Sequence, residues 1–341
     1  MPSPPVAKAD LAACRALLRG GSKSFFAASL LLPPRIKTSA TALYAFCRVA
    51  DDAIDLGADP SQAVQDFLRR LDAAYAGTPD PNPIDRAFAA TVALKQIPKT
   101  LPAALIECLA WDVEQKRYET FDSLLDYAAR VAGAVGVMMA LVMGVRDRES
   151  LARAADLGVA MQLTNIARDV GEDARAGRFF LPADWCAQAG LNIEAFLAAP
   201  VFSPAIAAVI KRLLDEAEIL YRRAESGIAR LPLDCRTGIA AARRIYAAIG
   251  HDVAAAGYNA IARRARVPAS RKLVLALRAA ADAALLSAGA LHPALPANLF
   301  LLETAQDQPH PEPRALIKLL DMFERLERTQ RAALAEDRSL A

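Results

Sequence analysis

The sequence predicts an all-α protein, and three observations carry that prediction. Alanine, the best helix former, makes up about a fifth of the 341 residues, while aromatics make up only 6%. Apolar residues recur at three- and four-residue spacing along most of the chain, and β-branched residues never alternate with polar ones over any length, so the period is helical. Glycine and proline stand where these periodic stretches end.

In chain order, a first helix over Ala9 to Leu18 ends at Gly20-Gly21, and a second over Ser22 to Leu32 ends at Pro33-Pro34. A third begins at about Ser39 and ends near Gly57. The same pattern predicts helices at about 61–76, 84–95, 101–117, 121–145, 149–172, 203–230, 236–264 and 269–287. Between the fourth and fifth, Gly77-Thr78-Pro79-Asp80-Pro81-Asn82-Pro83 is a surface connection rather than an interdomain linker, because helices of the same apolar character flank it. One helical domain over 7–290 follows. A C-terminal part, 303–341, is separate in character: Gln306 to Pro313 is polar and proline-rich, and Arg314 to Ala335 is amphipathic, with Leu316, Ile317, Leu320, Phe323 and Leu326 near one face.

A net charge of +3, from 41 basic and 38 acidic residues, provides no global field for nucleic acid. Cys14, Cys47, Cys108, Cys186 and Cys235 show no CxxC spacing, and His251, His292 and His310 lie far from them in sequence. That argues against zinc and disulfide frameworks and fits a reducing cytoplasm, with the cysteines as apolar fillers. Met1 to Asp10 lacks the basic-then-apolar pattern of an export signal. The longest uncharged apolar run, Val131 to Val145, falls short of the ~20 residues that span a bilayer, so it reads as a buried helix.

Two acidic stripes stand out. Tyr44, Arg48, Asp51 and Asp55 are spaced i, i+4, i+7, i+11 and share one helix face. Gln162, Asn165, Asp169 and Asp173 repeat the device at i, i+3, i+7, i+11, with Arg168 beside them. Carboxylates one turn apart repel by ~0.2–0.5 kcal/mol on an exposed helix and by more in a cavity. A single such pair is common on a solvated face, but both pairs here begin in segments that are otherwise apolar. Hard divalent cations offset such repulsion, since magnesium takes carboxylate, amide and water oxygens and bridges them to phosphate. Carboxylates that recruit magnesium into an apolar bundle suggest diphosphate binding and ionisation of an allylic diphosphate in a dry cavity. Gly171, inside the second stripe's helix, costs ~1 kcal/mol relative to alanine and marks a distortion or a close approach.

These residues carry a resemblance. The run Tyr44-Ala45-Phe46-Cys47-Arg48-Val49-Ala50-Asp51-Asp52-Ala53-Ile54-Asp55 and the longer run from Gln162 to Pro182 are similar to the two signatures of the squalene and phytoene synthase family. Gly21-Ser22-Lys23-Ser24-Phe25-Phe26 resembles that family's Ser-Lys-Ser-Phe segment. The likeness runs from about residue 10 to about residue 290, and within the family it is strongest to the bacterial phytoene synthases of carotenoid biosynthesis.

The resemblance implies an all-α isoprenoid synthase fold, a single helical bundle with a central cavity. It also implies head-to-head condensation of two geranylgeranyl diphosphates to phytoene through a cyclopropyl diphosphate. By position it assigns Asp51, Asp55, Asp169 and Asp173 to magnesium (or manganese), with Asn165 among the metal ligands. It assigns Arg48, Gln162, Asn165, Arg168 and Arg263 to the diphosphate or its ions, and Ser22, Lys23, Ser24 and Phe25 to a segment flanking the substrate. Tyr44, Tyr127 and Tyr246 match tyrosines near the reacting centre, and Ala132, Val135 and Gly136 match tunnel-lining positions. NADPH is not expected, and ATP stimulation is left open. Prenyl diphosphates are the implied substrates, and downstream carotenoid enzymes are candidate partners. Because tails and product prefer lipid, a cytoplasmic protein in peripheral contact with the membrane is expected.

The small residues of Val131 to Val137 either permit tight helix packing or leave room for a prenyl chain. Arg175 and Arg178 either approach a diphosphate or fix the loop before Leu181-Pro182. Position 21 is glycine where some relatives carry histidine, so no side-chain role transfers there. Alternatives in function are a synthase acting on farnesyl diphosphate to make squalene, dehydrosqualene or presqualene diphosphate, and a non-catalytic helical assembly protein of the same fold.

Overall fold

The computed structural model describes residues 6–21, 23–56, 60–283, 286–289 and 292–306, with the backbone alone for 54–56. Among these residues every regular element is helical. The helices are α1 (Lys8–Gly21), α2 (Lys23–Ser29), α3 (Pro34–Leu56), α4 (Pro60–Tyr75), α5 (Pro83–Lys95), α6 (Thr100–Val113) and α7 (Phe121–Ala128). A π-helical turn, Ala129–Gly133, joins α7 to α8 (Ala134–Val142). Then follow α9 (Arg148–Arg175), α10 (Ala183–Gln188), α11 (Ile193–Ala198), α12 (Pro204–Ile228), α13 (Leu233–Ala255), α14 (Ala269–Ala283) and, after a 3-10 turn, α15 (Leu299–Gln306).

Local chemistry sets most of these boundaries. Asn82 caps α5 by accepting from the Ile84 and Asp85 amides, with Pro83 at the first helical position. Thr120 and Ser123 form a capping box at α7, Asp147 accepts from the Ser150 amide at α9, and Ser203 caps α12 ahead of Pro204. Two expected boundaries move for a physical reason. Pro34 does not only stop the helix before it; its fixed φ starts α3, ahead of the expected Ser39. α13 ends at Ala255 rather than 264, because Gly257 and Tyr258 adopt φ of 65° and 61°.

α9 is the central helix, packed by α8, α12 and α13. Glycines make those crossings close: a Cβ on Gly136 would lie 2.1 Å from the Ala154 carbonyl oxygen, and one on Gly158 would lie 2.1 Å from that of Ala132. The second contact falls on the π turn, which contains Ala132. Phe121–Val142 is long and apolar enough by composition to cross a membrane, but 67% of its most apolar window is buried in the bundle, as a core helix would be.

The compact unit extends to Gln306, past the expected end at 290. Buried Asp156 on α9 accepts from Arg223 (3.0 Å) and Asn298 (3.1 Å), and Arg223 also donates to the Pro293 carbonyl (2.6 Å). Leu301 and Leu302 of α15 are buried as a result. The expected amphipathic segment Arg314 to Ala335 lies outside the described residues.

Candidate functional site

Three helices bring the chemistry-bearing residues together. α3 presents Tyr44, Arg48 and Asp51; α9 presents Gln162, Asn165, Arg168, Asp169 and Asp173; and α13 places Tyr246 within electrostatic reach of both Tyr44 and Arg168.

On α3, Arg48 Nε donates to Asp52 Oδ2 (3.0 Å), its Nη2 bonds Asp52 Oδ1, and its Nη1 lies 3.5 Å from Asp51. Burial of Arg48 disfavours its charge, but the bonds and charge of Asp52, with Asp51 and Tyr44, outweigh it and hold the guanidinium protonated above its usual range. Tyr44 stacks on Phe25 of α2, centroids 5.2 Å apart and planes 16° apart. Burial pushes its hydroxyl up to about 12, against the pull of Arg48, so it stays a neutral donor. A Cβ at position 21 would lie 2.3 Å from that hydroxyl. Glycine there makes room for Tyr44. Lys23 and Ser24 stand on α2 with Phe25, while Ser22 and the side chain of Asp55 lie outside the described residues.

On α9, Arg168 Nε donates to Asp169 Oδ1 (2.7 Å), and Arg264 reaches the same carboxylate from the α13–α14 connection (Nε–Oδ1 2.8 Å) while also pairing with Glu172 (3.1 Å). Arg178 lies 3.5 Å from Asp173. Burial pushes the Asp173 carboxyl up to about 7; Arg178 opposes this, Asp169 and Glu172 add to it, and Arg264 opposes it. Gln162 and Asn165 lie side by side, with Asn165 Nδ2 3.5 Å from Gln162 Oε1. A Cβ on Gly171 would lie 2.8 Å from both the Ala260 carbonyl oxygen and the Ile261 Cα. Its backbone is therefore the seat of the connection that carries Arg264.

Several expected residues stand elsewhere. Arg263 is exposed and turns to Asp252 on α13 (3.6 Å), so the basic residue at the second stripe is its neighbour Arg264. The cause is the local turn: Asn259 Oδ1 accepts from the Ile261 and Ala262 amides, and this sets which arginine faces α9. Arg175 fixes the same connection, donating to the Gly171 (2.8 Å) and Ile261 (2.6 Å) carbonyls. Gly136 is a packing glycine, its missing side chain replaced by the α9 backbone rather than by space for a chain; Ala132 and Val135 are half-buried beside it. Tyr127 is buried, donates to Asp112 (3.1 Å) and packs on Tyr118 and Phe180. Sequence reasoning passed over Asp52, Glu172 and Arg264. The Arg263-Arg264-Ala265-Arg266 run was the available signal for the last.

The donor set suits a hard divalent cation. It offers carboxylate and amide oxygens, and the buried Asp173 carboxyl, crowded by Asp169 and Glu172, is one that a cation would relieve. Among the described residues no three His, Cys, Asp or Glu side chains come together as a ready-made metal cage.

The squalene/phytoene synthase family profile matches residues 18–272. The chain belongs to that family. It is 49% identical to the phytoene synthase of Cereibacter sphaeroides over 340 residues, covering 95% of this chain and 96% of that one. It is 48% identical to the 15-cis-phytoene synthase of a Paracoccus species, over 75% of this chain and 86% of the other. Among solved structures, a dehydrosqualene synthase in complex with ligand superposes with a TM-score of 0.75 at 30% identity, covering 80% of this chain and 96% of that one. The family's isoprenoid synthase fold is thus the fold of this chain, and both stripes and α2 fall within the matched span.

Proposed function

We propose that the chain is a phytoene synthase of carotenoid biosynthesis. It joins two geranylgeranyl diphosphates head to head, through a cyclopropyl diphosphate, to phytoene, and releases two diphosphates. The observation that supports this most is the pairing of two arginine-bound aspartate stripes on α3 and α9 with Tyr246 between them, in a chain similar along nearly its whole length to phytoene synthases.

The residues divide the work by charge and polarity. Arg48, Arg168 and Arg264 supply cationic donors for diphosphate oxygens, exchanging their carboxylate partners for substrate. Asp51, Asp55, Asn165, Asp169 and Asp173 would hold Mg2+ or Mn2+, which when bound neutralises the departing diphosphate. Tyr44, kept neutral, and Phe25 stacked on it present ring faces that stabilise an allylic cation without attacking it. In the first stage one diphosphate leaves, the double bond of the second substrate attacks the allylic cation, and proton loss closes the cyclopropane. In the second stage the remaining diphosphate leaves, and the rearranged cation loses a proton to give the hydrocarbon. No reductant enters that balance, so NADPH is not required.

The test is incubation of purified protein and magnesium with geranylgeranyl or farnesyl diphosphate, with and without NADPH, followed by mass-spectrometric product analysis. A forty-carbon hydrocarbon made from the twenty-carbon substrate alone, unaffected by NADPH and abolished by EDTA, is the expected result. Selective turnover of farnesyl diphosphate would move the chain to the squalene or dehydrosqualene reading. No turnover of either would leave the assembly-protein reading.

A further inference from the structure

α14 is apolar on two opposite flanks. One flank, with Leu275, Ala276 and Ala279, packs into the core against α13. On the other, Leu273 and Leu277 are each 64% exposed and Val274 47%, although a helix covering a core ordinarily turns polar residues to water. Leu30 and Leu31, at the end of α2, are exposed as well, and α2 packs against α13 and α14.

Up to the last turn of α14, the charge carried by this stretch of chain is of one sign. From Val253 through Ala281 the chain has no acidic residue but carries Arg263, Arg264, Arg266, Arg271, Lys272 and Arg278. Arg263 and Arg264 are paired to carboxylates of other helices. Arg271 and Arg278, both exposed, are seven residues apart and so form one stripe beside the leucines. Asp282, in the last turn of α14 and four residues after Arg278, is tied to Arg244 of α13. In a chain whose net charge is only +3, this is a local concentration of cations. Exposed aliphatic side chains on one helix flank, edged by arginines, match an interfacial helix that beds its leucines among acyl chains and its cations among anionic headgroups.

The face also adjoins the site. The connection into α14 delivers Arg264 to Asp169, and Lys23 at the start of α2, two residues before Phe25, lies within electrostatic reach of Lys272. We propose that the outward flank of α14, Leu273, Val274 and Leu277 with Arg271 and Arg278, docks the protein on an anionic lipid bilayer beside its substrate site. The assignment rests on the prenyl-substrate reading, since a membrane surface there receives a product that water cannot hold.

Vesicle flotation with the full-length chain tests it without any prenyl substrate. Vesicles of phosphatidylcholine alone are compared with vesicles containing about 30% phosphatidylglycerol, at low and high salt. The parent should favour the anionic vesicles by at least about tenfold and lose that preference in high salt. L273Q/L277Q should weaken binding at least about tenfold, and R271Q/R278Q should abolish the anionic preference, both with melting temperature and turnover of detergent-dispersed substrate unchanged. A parent that floats with neither vesicle, or variants that bind like the parent, would overturn the proposal. So would a parent dimer that L273Q/L277Q converts to monomer with lipid binding intact, which would give the face to a second copy. Binding and phytoene formation are read separately, so failure of one is distinguishable from failure of the other.

Discussion

On α3, Asp51 and Asp52 keep 48% and 33% of their side chains in water, with Arg48 reaching across both; on α9, Asp169 and Asp173 keep 17% and 15%. Water can screen the first pair. The second must be screened by protein, and Arg168, Arg264 and Arg178 arrive from three directions to do so. Near-identical spacings in sequence thus give two different electrostatic devices. The α3 stripe is an accessible edge, and the α9 stripe is a buried anionic cluster whose proton affinity is already raised at Asp173.

If both devices serve one diphosphate site, neither can be spared. D51A and D173A should each lower kcat/KM by at least about a thousandfold while leaving the circular dichroism melt cooperative. Near-normal turnover by D51A would break the comparison by removing α3 from the site.

The next largest effect concerns what holds the α9 stripe in place. Gly171 occupies the helix position that Ala53 occupies on α3, and it is pressed against the backbone of residues 260 and 261. G171A should destabilise by about 1–3 kcal/mol through overpacking and reduce turnover by displacing the connection that carries Arg264. Thermal unfolding unchanged from the parent would show that the approach of residues 260 and 261 is loose.

A smaller effect separates two adjacent arginines. R264Q should lower kcat/KM about tenfold, the scale of one charge-assisted contact, whereas R263Q should stay within about twofold. The reverse order would return the diphosphate contact to Arg263.

That pair also marks where the sequence stops being informative. Both stripes were legible because a helix converts i, i+4 and i+7 into one face wherever it runs. The choice between Arg263 and Arg264 was not, because it depends on an Asx turn at Asn259 and positive φ at Gly257 and Tyr258, which no period encodes. The same holds for α15, whose place in the bundle rests on the Asn298 to Asp156 bond between residues far apart in the chain. Gly136 was read as a match to tunnel positions, and only the position of the Ala154 carbonyl shows what fills the space beside it. Burial was foreseen for both aspartate segments, but its strength differs between them through tertiary packing alone.

The finest test of the comparison is therefore a proton. The Asp173 carboxyl rises from an ordinary 3.8 to about 7 on folding, so in metal-free protein its ionisation opposes the folded state. That penalty is absent below about pH 4, grows between 4 and 7, and is complete above 7. Three pH units bound it at about 4 kcal/mol, and an amide forfeits the attraction to Arg178 in exchange. D173N without divalent cations should therefore be more stable than the parent at pH 8 by about 1 kcal/mol, a melting temperature higher by ~2–4 °C, with the gap closing toward pH 5. Magnesium should narrow the gap at pH 8 by stabilising only the parent's carboxylate. A D173N protein less stable than the parent at pH 8 in EDTA would mean that Arg178 and Arg264 already satisfy this carboxylate, and the α9 stripe would then resemble its counterpart on α3.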